Sequence, residues 1–405
     1  MSRSRRWFLR LGAAWSAALV ACRSKTIPSA DEPHALGATV SPYGSRSRFE
    51  NAMRHVNANT KVPLEEAASW TPLHRTFGIV TPSSLHFERH HAGVPAIDPA
   101  THTLTIHGLV DRPLVFSVDE LRQLPSVSRI HFLECSGNSM TEWRGGSTES
   151  SVQRIHGLTS CSEWTGVPLS LLLRECGVKP EATWILAEGA DACKLTRSIP
   201  MTKAMDDAFV AYAQNGEPLR PEQGYPIRLF LPGWEGNSNV KWLRRIKAMD
   251  RPAMTREETS KYTDLMADGT ARQFTFVMEP KSIITRPSGG DKLAGPGRYE
   301  VTGIAWSGRG TIARVEITVD GGATWTPAEL QTPVLPRAHT RFQSAWQWDG
   351  REALIASRCT DETGYTQPPL ADLIAVRGVN SYYHNNGIQM WKVAADGTIT
   401  NGNRA

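Results

Sequence analysis

This 405-residue chain is short of cysteine and of motifs that pair it. Six cysteines occur, with no Cys-x-x-Cys pair and no Cys-x-x-Cys-His haem-attachment motif, which argues against a c-type haem, a zinc ribbon or a redox dithiol in this chain. An excess of one charge is also missing. The net charge of +5 comes almost wholly from Arg3, Arg5, Arg6 and Arg10; without them 41 of the 45 basic residues face 40 acidic ones. Such a balance has no field to steer the chain to nucleic acid. No apolar run approaches the roughly 20 residues of a membrane-spanning helix. What is present is an ordinary globular composition, 40% hydrophobic and 21% charged, long enough for two or three domains. The 13 tryptophans are scattered, as packing and pocket walls would be.

The basic start has its own meaning. Ser4-Arg5-Arg6-Trp7-Phe8-Leu9-Arg10 resembles a twin-arginine export signal, and residues 11–21 supply its apolar region. Export to the periplasm by this route carries folded proteins, so a prosthetic group inserted before export is expected. Leu19-Val20-Ala21-Cys22 is also compatible with lipid attachment at Cys22. The other five cysteines are an odd number, and a thiol that stays free in an oxidising compartment needs a reason, such as a metal bond.

The pattern predicts a signal peptide over 1–26, an extended arm over 27–80, an α+β domain over 81–255, a linker over 256–272, a β-sandwich over 273–392 and a tail over 393–405. In the α+β domain, Ser117 and Glu120 form a capping-box pattern ahead of a short helix, and Leu169 to Cys176 reads as a helix stopped by Gly177. After about residue 270, period-two alternation at 301–306, 315–319, 342–348 and 353–359 indicates an immunoglobulin-like sandwich.

Ile130-His131-Phe132-Leu133-Glu134-Cys135-Ser136-Gly137-Asn138 is the most informative segment. An apolar strand delivers Cys135 to a Ser-Gly-Asn turn, where Gly137 would let the backbone bend around a bulky group. A thiolate is a soft ligand, suited to a metal that changes oxidation state. Alone, such a cysteine is more often a buried structural residue. Cys161 is a rival thiolate, but its Ser-Cys-Ser-Glu-Trp setting has no turn to wrap a metal.

Further pieces follow in order: Phe87-Glu88-Arg89-His90-His91, Glu188-Gly189-Ala190-Asp191, Gly224-Tyr225-Pro226-Ile227-Arg228, Asn239-Val240-Lys241-Trp242-Leu243 and Arg377-Gly378-Val379. With the Cys135 segment they resemble the sulfite oxidase family of molybdopterin enzymes over about residues 80–390. The stretch from His156 to Gly166 narrows the likeness to the molybdenum subunit of Sox-type sulfane dehydrogenases.

The resemblance implies one molybdopterin per chain, with Cys135 as the metal's protein ligand and an immunoglobulin-like dimerisation domain behind it. Phe87, Arg89 and His91 would line the pocket, and Asp191, Gln223, Arg228, Asn239, Val240 and Lys241 would hold the pterin and its phosphate. Arg89, His91, Tyr262 and Arg377 would face the substrate, Arg377 reaching over from the second domain. It further implies a c-type cytochrome subunit as electron acceptor, a sulfur-carrier protein presenting the substrate and a homodimeric core. Two departures stand out. Met140 occupies a position where the family has arginine, and Gln223 one where it has histidine. Losing a cation weakens the pocket for free sulfite and favours sulfane sulfur on a carrier. Alternatives are a plain sulfite dehydrogenase, a sulfoxide reductase of the same fold (which would usually lack the sandwich) and a metal-free periplasmic binding protein.

Overall fold

A computed structural model describes residues 37, 39–57, 67–145 and 151–403. The expected export signal and Cys22 lie outside the described residues. Residues 37 and 39–51 belong to a separate unit and are exposed loop and turn. The described residues from Ala52 onward form one compact body.

Two sheets build the first half of that body. One orders its strands as Leu114–Ser117, Thr103–Gly108, Leu243–Met249, Trp184–Gly189 and Thr196–Pro200; only the Thr103–Gly108 and Leu243–Met249 pair is parallel. The other runs Glu217–Pro218, Phe209–Gln214, Thr159–Pro168, Val127–Glu134, with Arg228–Phe230 also paired to Phe209–Gln214. The helices Val118–Gln123 and Leu169–Cys176 share a core with them through Leu121, Leu169, Leu172 and Leu173. The first carries the anticipated capping box: Ser117 Oγ accepts from Glu120 N at 3.2 Å and Ser117 N donates to Glu120 Oε2 at 2.7 Å. The second ends at Gly177, left-handed at φ 66°. An aromatic cluster of Phe87, Trp164, Phe209 and Phe230 packs between the second sheet and the cleft; burying a side chain such as Phe230 stabilises by about 1.5–3 kcal/mol.

The second half is a sandwich of two antiparallel sheets. One is ordered Lys281–Arg286, Gly297–Trp306, Thr340–Trp348, Glu329–Leu330; the other Thr326–Pro327, Ile312–Thr318, Ala353–Asp361, Met390–Val393, Ile399–Asn401. Between Ala353–Asp361 and Met390–Val393 the chain forms the helix Leu370–Arg377. The sandwich core includes Phe132, Ile155 and Cys161 from the first half, so it extends across the join between the halves.

Two sequence expectations change. The region read as an extended arm is partly built into the body: His55–Val56 and Ala68–Trp70 pair with each other, and Ala68–Trp70 with Glu88–Arg89; Leu73 is buried, and Thr71 Oγ1 lies 2.6 Å from Ser160 Oγ. Its prolines and polar residues concealed these buried contacts. The span read as a linker is also ordered, with the helix Arg256–Thr259 and a small pairing of Asp264–Leu265 with Ala271–Arg272.

Candidate active site

The strand Val127–Glu134 ends inside the body, and the chain turns at once. Cys135 O accepts from Asn138 N at 2.9 Å, and Gly137 O from Met140 N at 3.2 Å. The left-handed residue of this turn is Ser139 (φ 65°), one position beyond the Ser-Gly-Asn stretch. At Gly137 a β-carbon would lie 3.9 Å from Cys135 Sγ and 4.0 Å from Met140 Sδ, ordinary contact distances that leave room for a small side chain. Gly236, on the opposite loop, does have to be bare, since a β-carbon there would stand 2.9 Å from Glu134 O and 3.3 Å from Cys135 Cα.

Cys135 opens into a cleft. Phe87, Arg89, His91, Asp191, Gln223, Arg228, Asn239, Lys241 and Tyr262 line it with the thiol, so residues spread from 87 to 262 meet as the resemblance implied. Val240 and Arg377 are not among the lining residues. Val240 is fully buried among apolar neighbours, and its backbone N–H and carbonyl are taken up by Ser238 and Leu229. Arg377, at the end of Leu370–Arg377, turns its guanidinium to the carbonyls of Tyr383 (3.0 Å) and His384 (3.3 Å). It thereby braces a loop whose His384 N donates to Ser136 O at 2.8 Å, and so reaches the cysteine turn indirectly. Cys161 sits in the core, where burial pushes its thiol up to about 12.

The cleft collects positive charge. Arg228 is 1% exposed and bonds only carbonyls, through Nη1 to Gln223 O and Nη2 to Asn239 O, both at 3.0 Å; its Nε has no partner. Burial pulls it down to about 9. Lys241 Nζ reaches Arg89 O, Glu222 O and His90 Nδ1, and burial, with Arg228 nearby, pulls it down to about 7. Asp191, the one carboxylate in the lining, is engaged by Leu195 N at 3.1 Å and Cys193 Sγ at 2.8 Å. Three cations, Arg89, Arg228 and Lys241, against the single lining carboxylate of Asp191 leave the cleft with an excess of positive charge that fits an anionic ligand, since an unpaired buried charge is costly. A group with a phosphate end and a metal end suits these residues: Arg228 and Lys241 at the one, Cys135 at the other.

Near the thiol, His91 Nε2 lies 2.6 Å from Tyr262 OH. Burial, with Arg89 adding to it, holds His91 down at about 3, so the imidazole is neutral; burial pushes the Tyr262 phenol up. Tyr262 is itself left-handed (φ 48°), and the Arg197 guanidinium stands 5.2 Å over its ring. Burial raises the Cys135 thiol, and Arg89 partly offsets this.

Sequence reasoning missed Gly236 and Asn237 in the lining, together with Glu235 behind them, which accepts from Arg197 (3.0 Å), His384 (3.0 Å) and Asn237 (2.8 Å). The available signal was Pro232-Gly233-Trp234-Glu235-Gly236-Asn237, a glycine-rich break after an apolar strand. Among the described residues no three His, Cys, Asp or Glu side chains converge as a metal-binding group, so a metal in this cleft would rest on one protein thiolate and the cofactor's own ligands.

Fold and lining define a class: an α+β cofactor domain joined to a β-sandwich, with a thiol and uncompensated cations around one cleft. Residues 91–257 match the oxidoreductase molybdopterin binding domain, and 272–391 the Mo-co oxidoreductase dimerisation domain. The crystal structure of the sulfane dehydrogenase SoxCD from Paracoccus pantotrophus is similar at 47% identity and a TM-score of 0.88, covering 93% of this chain and 97% of that one. Nitrate reductases of Ulva prolifera and Hordeum vulgare are 30% and 32% identical over 330 and 334 residues, in each case 72% of this chain. The chain spans 38% and 37% of their lengths. It belongs to the sulfite oxidase family of molybdopterin oxidoreductases, in the Sox-type branch.

Proposed function

We propose that this chain is the molybdenum subunit of a periplasmic sulfane dehydrogenase, oxidising sulfane sulfur held on a carrier protein and passing electrons to a c-type cytochrome. The observation that carries this reading is the cysteine turn. The thioether of Met140 and the thiol of Cys135 flank the same bare glycine, and Met140 is 38% exposed at the position where the resemblance implies an arginine. Met140 does not line the cleft itself; an uncharged thioether beside the cysteine turn, in place of a cation, suits a polarisable sulfur chain better than a free dianion. The likeness to SoxCD supports the same substrate class.

When bound, the molybdenum cofactor supplies the two-electron oxidation that no side chain here can perform. Cys135 is its thiolate ligand, while Arg228 and Lys241 hold the anionic end. Asn239, whose side chain is spent on Leu231 N (2.7 Å) and Glu235 O (2.9 Å), shapes the loop that presents them. Tyr262 and His91 face the substrate as a neutral hydrogen-bonding pair, and Arg89 provides one cation. The sandwich forms a homodimeric core. Arg89 also favours a second reading, oxidation of sulfite itself. Turnover of a carrier-bound persulfide against free sulfite separates the two: the first reading predicts efficient turnover of the persulfide and poor turnover of sulfite, and the reverse overturns it.

A further inference from the structure

The cysteine turn is held from outside its own domain. Glu134, adjacent to Cys135, is 1% exposed, and three donors converge on its carboxylate. Lys281 Nζ (3.2 Å) and Asn138 Nδ2 (2.9 Å) meet Oε1, and Trp306 Nε1 (2.6 Å) meets Oε2. Lys281, also 1% exposed, donates to Ser139 Oγ at 2.9 Å, the residue whose left-handed backbone closes the turn. Asn385 Nδ2 reaches Ser139 O at 3.2 Å. Lys281, Trp306 and Asn385 come from the sandwich half; Glu134, Asn138 and Ser139 come from the cofactor half.

A buried ion pair adds little net stability, because desolvating two charges offsets their attraction. In a low-dielectric interior, however, each charge acts strongly on a neighbouring metal, and groups behind the direct ligands tune its affinity and potential. We propose that Glu134 and Lys281 are positioning residues for the Cys135 thiolate, their paired charges fixing the turn and setting the reduction potential of the bound molybdenum. The inference rests on Cys135 being the ligand. The β-sandwich then acts on the metal centre of its own chain besides any part in assembly.

The test is the molybdenum midpoint potential and the thiolate-to-molybdenum absorption of the purified holoprotein and its Glu134→Gln and Lys281→Met variants. Glu134→Gln is isosteric but keeps one acceptor oxygen, which can serve either Trp306 or Asn138 with Lys281; it is expected to raise the potential, because a carboxylate near the metal is gone while the ammonium stays. Lys281→Met is expected to lower the potential, or to yield a folded chain that has lost molybdenum. A Glu134→Gln holoprotein with unmoved potential and absorption overturns the proposal, and this variant decides alone if Lys281→Met does not fold. Wild-type holoprotein lacking the absorption would instead overturn Cys135 as the ligand.

Discussion

In the proposed function Cys135 serves the metal, and Met140, beside the cysteine turn, bears on the choice of substrate. Cys135→Ala should yield a folded chain with little or no molybdenum, whereas Cys161→Ala, whose thiol lies in the core, should keep its metal; elemental analysis of both checks this. Met140→Arg restores the cation the resemblance implies and should lower KM for sulfite while reducing turnover of carrier-bound sulfur, which steady-state kinetics with both substrates would show. Arg228→Met removes a charged donor to the cofactor. Hydrogen bonds to charged groups contribute about 1.5–3 kcal/mol, so the variant should retain roughly ten- to hundred-fold less cofactor, read as pterin per chain. The residues that meet in the cleft were legible where they sit inside short ordered motifs, as Arg89, Cys135 and Arg228 do. Val240 and Arg377 were the exceptions, since a motif gives position in the chain and not the direction of a side chain. The carbonyls of Tyr383 and His384, which capture the Arg377 guanidinium, lie in a loop that has no pattern of its own.

The short elements follow their local rules closely. The capping box at Ser117, the glycine stop at Gly177 and the period-two strands of the sandwich all appear where the sequence places them. Local signals sufficed there because each element's burial pattern follows from its own side chains. Ser117→Ala removes the cap from a helix remote from the cleft and should cost about 0.5–2 kcal/mol, seen as a lower Tm with molybdenum content unchanged. The turn at Cys135 was less legible. Its bend falls at Ser139, a residue with no intrinsic preference for left-handed backbone, held there by Lys281 and Asn385 from about 140 and 246 positions away in the chain. Contacts of such range leave no mark on local sequence. The strands at residues 55–56 and 68–70 were hidden instead by the prolines and polar residues around them.

At the scale of the molecule, the cleft couples stability to pH through Lys241. Its ammonium is pulled from 10.5 to about 7 by burial, with Arg228 adding to the effect. Between these values the unfolded chain binds the extra proton, so the cofactor-free protein should gain stability as pH rises from about 7 toward 10; below 7 both states are protonated and the burial penalty is felt in full. A bound phosphate returns the counter-charge and should flatten the slope, as should Lys241→Met; Tm against pH for the loaded, cofactor-free and variant proteins checks this. The central claim joins all three scales: a Cys135-ligated molybdenum centre that takes electrons from sulfane sulfur. Anaerobic mixing of the oxidised holoprotein with a carrier-bound persulfide, or with sulfite, tests it most directly when the thiolate-to-molybdenum absorption is followed in time. Rapid bleaching by the persulfide, slow bleaching by sulfite and no such absorption in Cys135→Ala is the predicted result. Bleaching by sulfite alone, or an unchanged absorption in Cys135→Ala, would contradict it.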